Sequence, residues 1–174
     1  MFKWTKNRKV LKVLDEAKEA IENKRFLNAE SILKSNQQFN DTRIYRMLGH
    51  LYLEKDNKDW KQDIDLSFEY FFKAMELGDV YSIFEVSKQF LAGELIEQNF
   101  EAAFELLIQV EDCSLADVHY CLAGMYSEGL GTQVNEAKAM EHFNKAKRLD
   151  STIYNKYMES PSLYTIDSLL KNKS

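Results

Sequence analysis

An all-α fold, built as a solenoid of stacked helix pairs, is what this chain predicts, and three observations predict it. First, two stretches superimpose when one is slid 36 residues along the other: Phe90 falls on Tyr126, Gly93 on Gly129, Asn99 on Asn135, Ala103 on Ala139 and Leu107 on Phe143. A third copy lies upstream, where Leu48-Gly49-x-x-Tyr52 matches Leu122-Ala123-x-x-Tyr126 and Lys73-Ala74 matches Lys145-Ala146, with two extra residues in the turn between. Such a period marks stacked supersecondary units, because one unit cannot bury its apolar face alone. Second, apolar residues within each copy recur at helical spacing. Third, one proline and six glycines in 174 residues leave long helices uninterrupted, and strand signals are absent.

The elements follow in chain order. At the amino terminus Lys3, Lys6, Arg8, Lys9 and Lys12 precede the first acidic residue, Asp15, beside the apolar Phe2, Trp4, Val10, Leu11 and Leu14. Basic residues next to aromatics suit a helix lying on a membrane surface. The stripe Val10, Val13, Leu14, Ala17, Ala20 and Ile21 favours a different role, a helix that covers the end of the repeat stack. With the segment Asn23 to Leu33 it forms an N-terminal helix pair over residues 1–40. Three copies follow at 41–78, 79–115 and 116–150, each a pair of antiparallel helices. In the third, Val118, Leu122, Met125 and Tyr126 set one helical pattern, Gly129-Leu130-Gly131 breaks it, and Ala139, Phe143 and Ala146 resume it. Asp63, Asn99 and Asn135 stand where each second helix needs a cap, and Gly78 closes the second helix of the first copy. Gly49, Ala123 and Ala139 let helix axes approach, while Tyr52, Phe90 and Tyr126 fill the space between pairs. The second copy departs most: Ser87, Leu95 and Val110 replace a small residue, a turn glycine and an alanine, so its turn is expected to differ in shape. Capping helices over 151–174 complete a single domain. Ile153, Tyr154 and Tyr157 begin a truncated further helix, and Ser160-Pro161 starts a last one with Leu163, Ile166, Leu169 and Leu170 on its apolar stripe.

Gly129-x-Gly131-x-x-x-Asn135-x-x-Lys138-Ala139-x-x-x-Phe143-x-Lys145-Ala146, after Leu122-Ala123-x-x-Tyr126, resembles the Sel-one-like repeat, a relative of the tetratricopeptide repeat. The resemblance covers roughly residues 43–150. It is strongest in the third copy and loosest in the second. Asn23 to Leu33 resembles the turn and second helix of a tetratricopeptide unit. This likeness implies a short right-handed α-α superhelix whose first helices line a concave, partner-binding face. Taking Gly49, Ser87 and Ala123 as equivalent places Arg43, Arg46, His50 and Leu53 on that face from the first copy. Tyr81, Phe84, Lys88 and Leu91 come from the second, and Asp117, Tyr120, Ser127 and Glu128 from the third. Arginine and aromatic residues dominate binding energy at protein interfaces. The alternative for Tyr81, Phe84 and Tyr120 is that they pack against the neighbouring pair.

Charge and chemistry narrow the function. A net charge of −5 and a pI near 5.3 argue against a general nucleic-acid binder, which needs a basic stripe, and suit a basic protein partner. No apolar run reaches the length of a signal peptide's core or a membrane span, so a cytoplasmic location is expected. Secreted members of the resembled family carry cysteine pairs at the separation of Cys113 and Cys121, but that register would put them at Glu111 and His119. The two are therefore read as thiols in a reducing compartment. Of His50, His119 and His142, no two stand at i, i+4, no Cys/His spacing matches a zinc site, and none has a catalytic partner in the sequence. His119 and Cys121 lie two apart on one helix and face different ways. Gly129-Leu130-Gly131 lacks the lysine and hydroxyl of a phosphate loop. No catalytic residues, metal or cofactor are expected. The reading is a stand-alone protein-binding module, with no catalytic or membrane domain fused to it. Resemblance points to the small bacterial immunity-type inhibitors that neutralise a toxin or effector. The alternatives are an adaptor in signalling or secretion, and an enzyme of the β-lactam-binding type.

Overall fold

The computed structural model describes residues 2–56 and 59–158, and among them every regular element is helical. They form α1 (Phe2–Glu22), α2 (Phe26–Lys34), α3 (Thr42–Leu53), α4 (Ile64–Glu76), α5 (Val80–Ala92), α6 (Phe100–Ile108), α7 (Ala116–Glu128), α8 (Glu136–Leu149) and α9 (Ile153–Met158). A single 3-10 turn at Gln37–Phe39 joins α2 to α3. The chain divides into two compact units, residues 1–82 and 83–174, and α5 crosses the boundary. The expected last helix, from Ser160-Pro161 through Leu170, lies outside the described residues, whereas Ile153 does open a short helix and is fully buried.

In the first unit, α1 packs on α2 and α3, and α3 on α4. The apolar stripe of α1 is used in that packing: Val10, Val13, Leu14, Ala17 and Ala20 are buried with Phe26, Ala29, Leu33, Ile44, Leu48 and Leu51. This is the covering role read from the spacing, and it uses the surface an interfacial helix would give to lipid. No helix among the described residues is long and apolar enough to cross a membrane. Gly49 is where α3 and α4 touch, since a Cβ added there would meet the Phe71 ring at 2.7 Å. Glycine removes the atom that would hold the two axes apart. In the second unit α7 packs on α6, α8 and α9, with Ala116, Tyr120, Ala123, Ala146 and Ile153 buried together and Phe143 against them.

One device closes all three repeated pairs. The N–H of the capping residue donates to the carbonyl of the aromatic that ends the first helix: Asp63 to Tyr52 at 3.0 Å, Asn99 to Phe90 at 3.0 Å, Asn135 to Tyr126 at 2.8 Å. The same three side chains accept from the N–H three residues on, Leu66, Ala102 and Lys138, so each second helix starts with one of its unpaired donors satisfied. The two extra residues of the first copy lie inside this bracket and leave it intact.

Candidate functional site

The residues expected on the partner face occupy different environments. At the start of α3, Asp41 accepts from the Arg43 N–H, and Arg43 turns its guanidinium back on the same carboxylate, Nε to Oδ1 at 2.8 Å and Nη2 to Oδ2 at 2.9 Å. Its Nη2 also donates to Asn7 Oδ1 of α1 at 2.8 Å. Arg43 thus secures a helix cap and ties α1 to α3. The guanidinium beside it holds the Asp41 carboxyl below the usual range.

One turn further, Arg46 Nη1 donates to both carboxylate oxygens of Asp79, at 3.1 and 3.0 Å. Asp79 is buried, and its Oδ2 also accepts from the N–H and hydroxyl of Ser82, at 2.9 and 2.8 Å, at the start of α5. The buried charge is therefore fully paired, as burial demands. The Tyr81 ring lies 4.6 Å from the Arg46 guanidinium carbon and is 54 % exposed. A large aromatic is held open to solvent here on a cation whose position is locked by Asp79. Next along α3, His50 is exposed and sits edge-on to Phe71 at 5.1 Å. With Leu53 it lines a cavity of about 510 Å³ whose other walls are Lys24, Phe26, Glu54, Lys55 and Asp56.

In the second unit Phe84 and Leu91 are buried and Tyr120 is 1 % exposed, so these three belong to the core. Lys88 pairs with Glu85 at 2.8 Å and covers the Phe84 ring at 5.2 Å. Asp117 and Ser127 are half-buried, and Glu128 is exposed. Helical spacing identifies one side of a helix but not the depth of each residue on it. Tyr81 and Tyr120 are equivalent in kind yet lie at opposite extremes of burial.

Two polar clusters went unread in the sequence because their members are far apart along the chain. In the first unit Tyr52 donates to the Glu30 carboxylate in a short contact, and Lys34 donates to the same oxygen at 2.7 Å, joining α2 to α3. Burial and the neighbouring carboxylate push the Tyr52 phenol up to about 12. In the second unit His119 on α7 and His142 on α8 meet through their Nδ1 atoms at 3.1 Å, both buried. His119 Nε2 lies 3.0 Å from the Cys113 carbonyl, and His142 Nε2 lies 3.9 Å from Glu111 Oε2. Burial lowers both imidazoles, His142 to about 4. Among the described residues no group of three or more histidine, cysteine or acidic side chains is arranged to hold a metal. Chemically these clusters are ties between helices. The signal that could have revealed the histidine pair is the repeat itself, since both residues fall on positions that face each other in the first copy.

Comparison with known proteins agrees with this architecture. A family model for the Sel1 repeat matches residues 45–79, 81–109 and 116–151. A solved Sel1 repeat protein from Oxalobacter formigenes is 19 % identical, with a TM-score of 0.61 over 68 % of this chain and 88 % of that one. A protective antigen of uropathogenic Escherichia coli with an SLR fold is 20 % identical, with a TM-score of 0.62 over 73 % of this chain and 28 % of the antigen. At these identities the likeness establishes the fold alone. No curated protein matches the chain closely enough to count as a relative.

Proposed function

This chain belongs to the Sel1 repeat family, and from that premise we propose that it is a non-catalytic inhibitor that binds a basic protein partner and neutralises it. Sel1 repeats are protein-interaction modules; the inhibitory role, the basic partner and a reducing cytoplasmic location are the finer reading. The observation that carries it is Tyr81, exposed and stacked on an arginine that Asp79 holds in place. An aromatic presented rigidly loses little conformational freedom on binding and is a typical anchor at the centre of an interface. The net charge of −5 favours a partner of opposite sign and speeds its encounter. His50 and Leu53, on the same helix as Arg46, extend the surface towards the cavity they line.

The test begins with a partner isolated by co-purification. Tyr81→Ala is expected to weaken binding, read by calorimetry, by roughly thirtyfold, about 2 kcal/mol, while the helical circular dichroism stays unchanged. Phe72→Ser, an exposed change on α4, the second helix of the first pair, is expected to leave affinity unchanged. The opposite ranking would move the binding face to the second helices. Addition of this chain to the partner is expected to abolish the partner's own activity. An adaptor would bind without inhibiting.

A further inference from the structure

The three repeated pairs carry different residues at one internal junction, and the difference is chemical. In the first pair Tyr45 stacks on Tyr70, with centroids 6.5 Å apart and planes at 18°, and Tyr70 stacks on Tyr52 at 5.7 Å and 4°. The equivalent positions of the second pair hold Ile83, Leu106 and Phe90. In the third they hold His119, His142 and Tyr126, arranged like the first: His119 on His142 at 5.4 Å and 21°, His142 on Tyr126 at 5.7 Å and 13°. A position filled by phenols or aliphatics elsewhere is thus filled here by two groups that can take up protons in mild acid.

The hydrogen bonds settle where the protons are. The Cys113 carbonyl only accepts, so His119 Nε2 carries a hydrogen and its Nδ1 is bare in the neutral ring. His142 must then donate from Nδ1 across the 3.1 Å gap, which leaves its own Nε2 bare and 3.9 Å from Glu111 Oε2. Both rings are neutral and one proton lies between them. A first added proton goes to His142 Nε2, making a buried cation. Glu141 on α8 favours it and Lys138 and Lys145 on α8 oppose it, while Glu111 and Asp112 in the segment before α7 favour charge on His119 and Lys145 opposes it. A second must go to His119 Nδ1, and two N–H groups would then face each other where one hydrogen bond had been.

We propose that His119 and His142 form an acid-sensitive latch: neutral, the pair bolts α8 to α7 and α7 to the Cys113 segment; protonated, it lets α8 go. Burial works in the same direction, holding both rings below the ordinary imidazole value of 6.5, with His142 at about 4. The unfolded or opened form therefore binds more protons than the closed one below about pH 6.5. The latch is intact above that pH, weakens as pH falls, and reaches its full loss near pH 4. One histidine so shifted makes opening about twentyfold more favourable at pH 5 than at pH 7.

The experiment uses the full chain. Amide hydrogen exchange of α8, corrected for the intrinsic pH dependence of exchange, is expected to show about a twentyfold loss of protection from pH 7 to pH 5. His119→Ile with His142→Leu, which installs the residues found at these positions in the second pair, is expected to keep the same protection at both. Nitrogen NMR of the wild-type rings is expected to show His119 bare at Nδ1, His142 titrating near 4, and His119 titrating below the ordinary imidazole value. Parallel loss of protection in wild type and double variant would overturn the latch. So would ring titration near 6.5, which decides the matter even if the double variant does not fold.

Discussion

The second and third helix pairs close with the same hydrogen bond, from Asn99 to Phe90 and from Asn135 to Tyr126, both within the second unit. Around that bond they differ. The third turn uses two left-handed glycines, Gly129 at φ 72° and Gly131 at φ 66°, whereas the second has only Gly93 at 67°, with Leu95 where Gly131 would be. An added Cβ on Gly131 would lie 2.2 Å from the Phe100 carbonyl oxygen, so this turn runs against the backbone that opens α6. Leu95 is half-buried and takes no left-handed conformation. The second helices differ too, nine residues in α6 against fourteen in α8. At the small-residue position the second pair has Ser87, fully buried, its hydroxyl returned to the Ile83 carbonyl at 2.8 Å where Ala123 has nothing to satisfy. The comparison separates two demands. Closing these two pairs takes a cap and one glycine, while the longer first turn, residues 54–62, closes on its cap with none. The second glycine answers to a neighbouring backbone, and the second turn closes without it.

The largest expected effect tests that separation. Gly131→Ala combines a left-handed conformation with a clash against backbone atoms that cannot rotate away, and is expected to cost about 2 to 4 kcal/mol in denaturant unfolding. Leu95→Gly, the reverse exchange in the second turn, is expected to cost about 1 kcal/mol or less. Equal costs would mean that turn closure, not the neighbour, requires the glycine. Next comes the helix contact: Ala123→Leu is expected to overpack α7 against its neighbours and cost about 1 to 3 kcal/mol, while Ser87→Ala, which removes a hydroxyl bonded only within its own helix, stays under about 1 kcal/mol. A larger loss for Ser87→Ala would show that the two positions are not equivalent. The smallest effect should be shared by both pairs. Asn99→Ala and Asn135→Ala are each expected to cost about 1 kcal/mol, above the roughly 0.5 kcal/mol ceiling for Glu136→Gln on the exposed first turn of α8. Unequal cap costs would show that the shared hydrogen bond supports unequal helices.

Much of this was legible in the chain. Asp63, Asn99 and Asn135 were readable as caps because a cap is local: the side chain meets an N–H three residues away, and only short-range geometry is needed. Gly49 was readable as a contact because a missing side chain amid an apolar pattern has few other uses. The partner face was only partly legible. Tyr81 and Phe84 are three residues apart on α5, one 54 % and the other 7 % exposed, and no periodicity separates them. Arg43 and Arg46 read alike, but Asp41 and Asp79 claim them for different purposes.

What the sequence determined by itself is the repeat: its period, its pairing into antiparallel helices, and its caps and turn glycines, all set by interactions within about one turn or by a self-match that needs no coordinates. Only the tertiary structure decided which of those residues are core, and which distant ones meet. Glu30 with Tyr52, Arg46 with Asp79 and His119 with His142 are each separated by more than twenty residues. Their protonation follows from burial and from the partner opposite, and neither exists until the helices have packed.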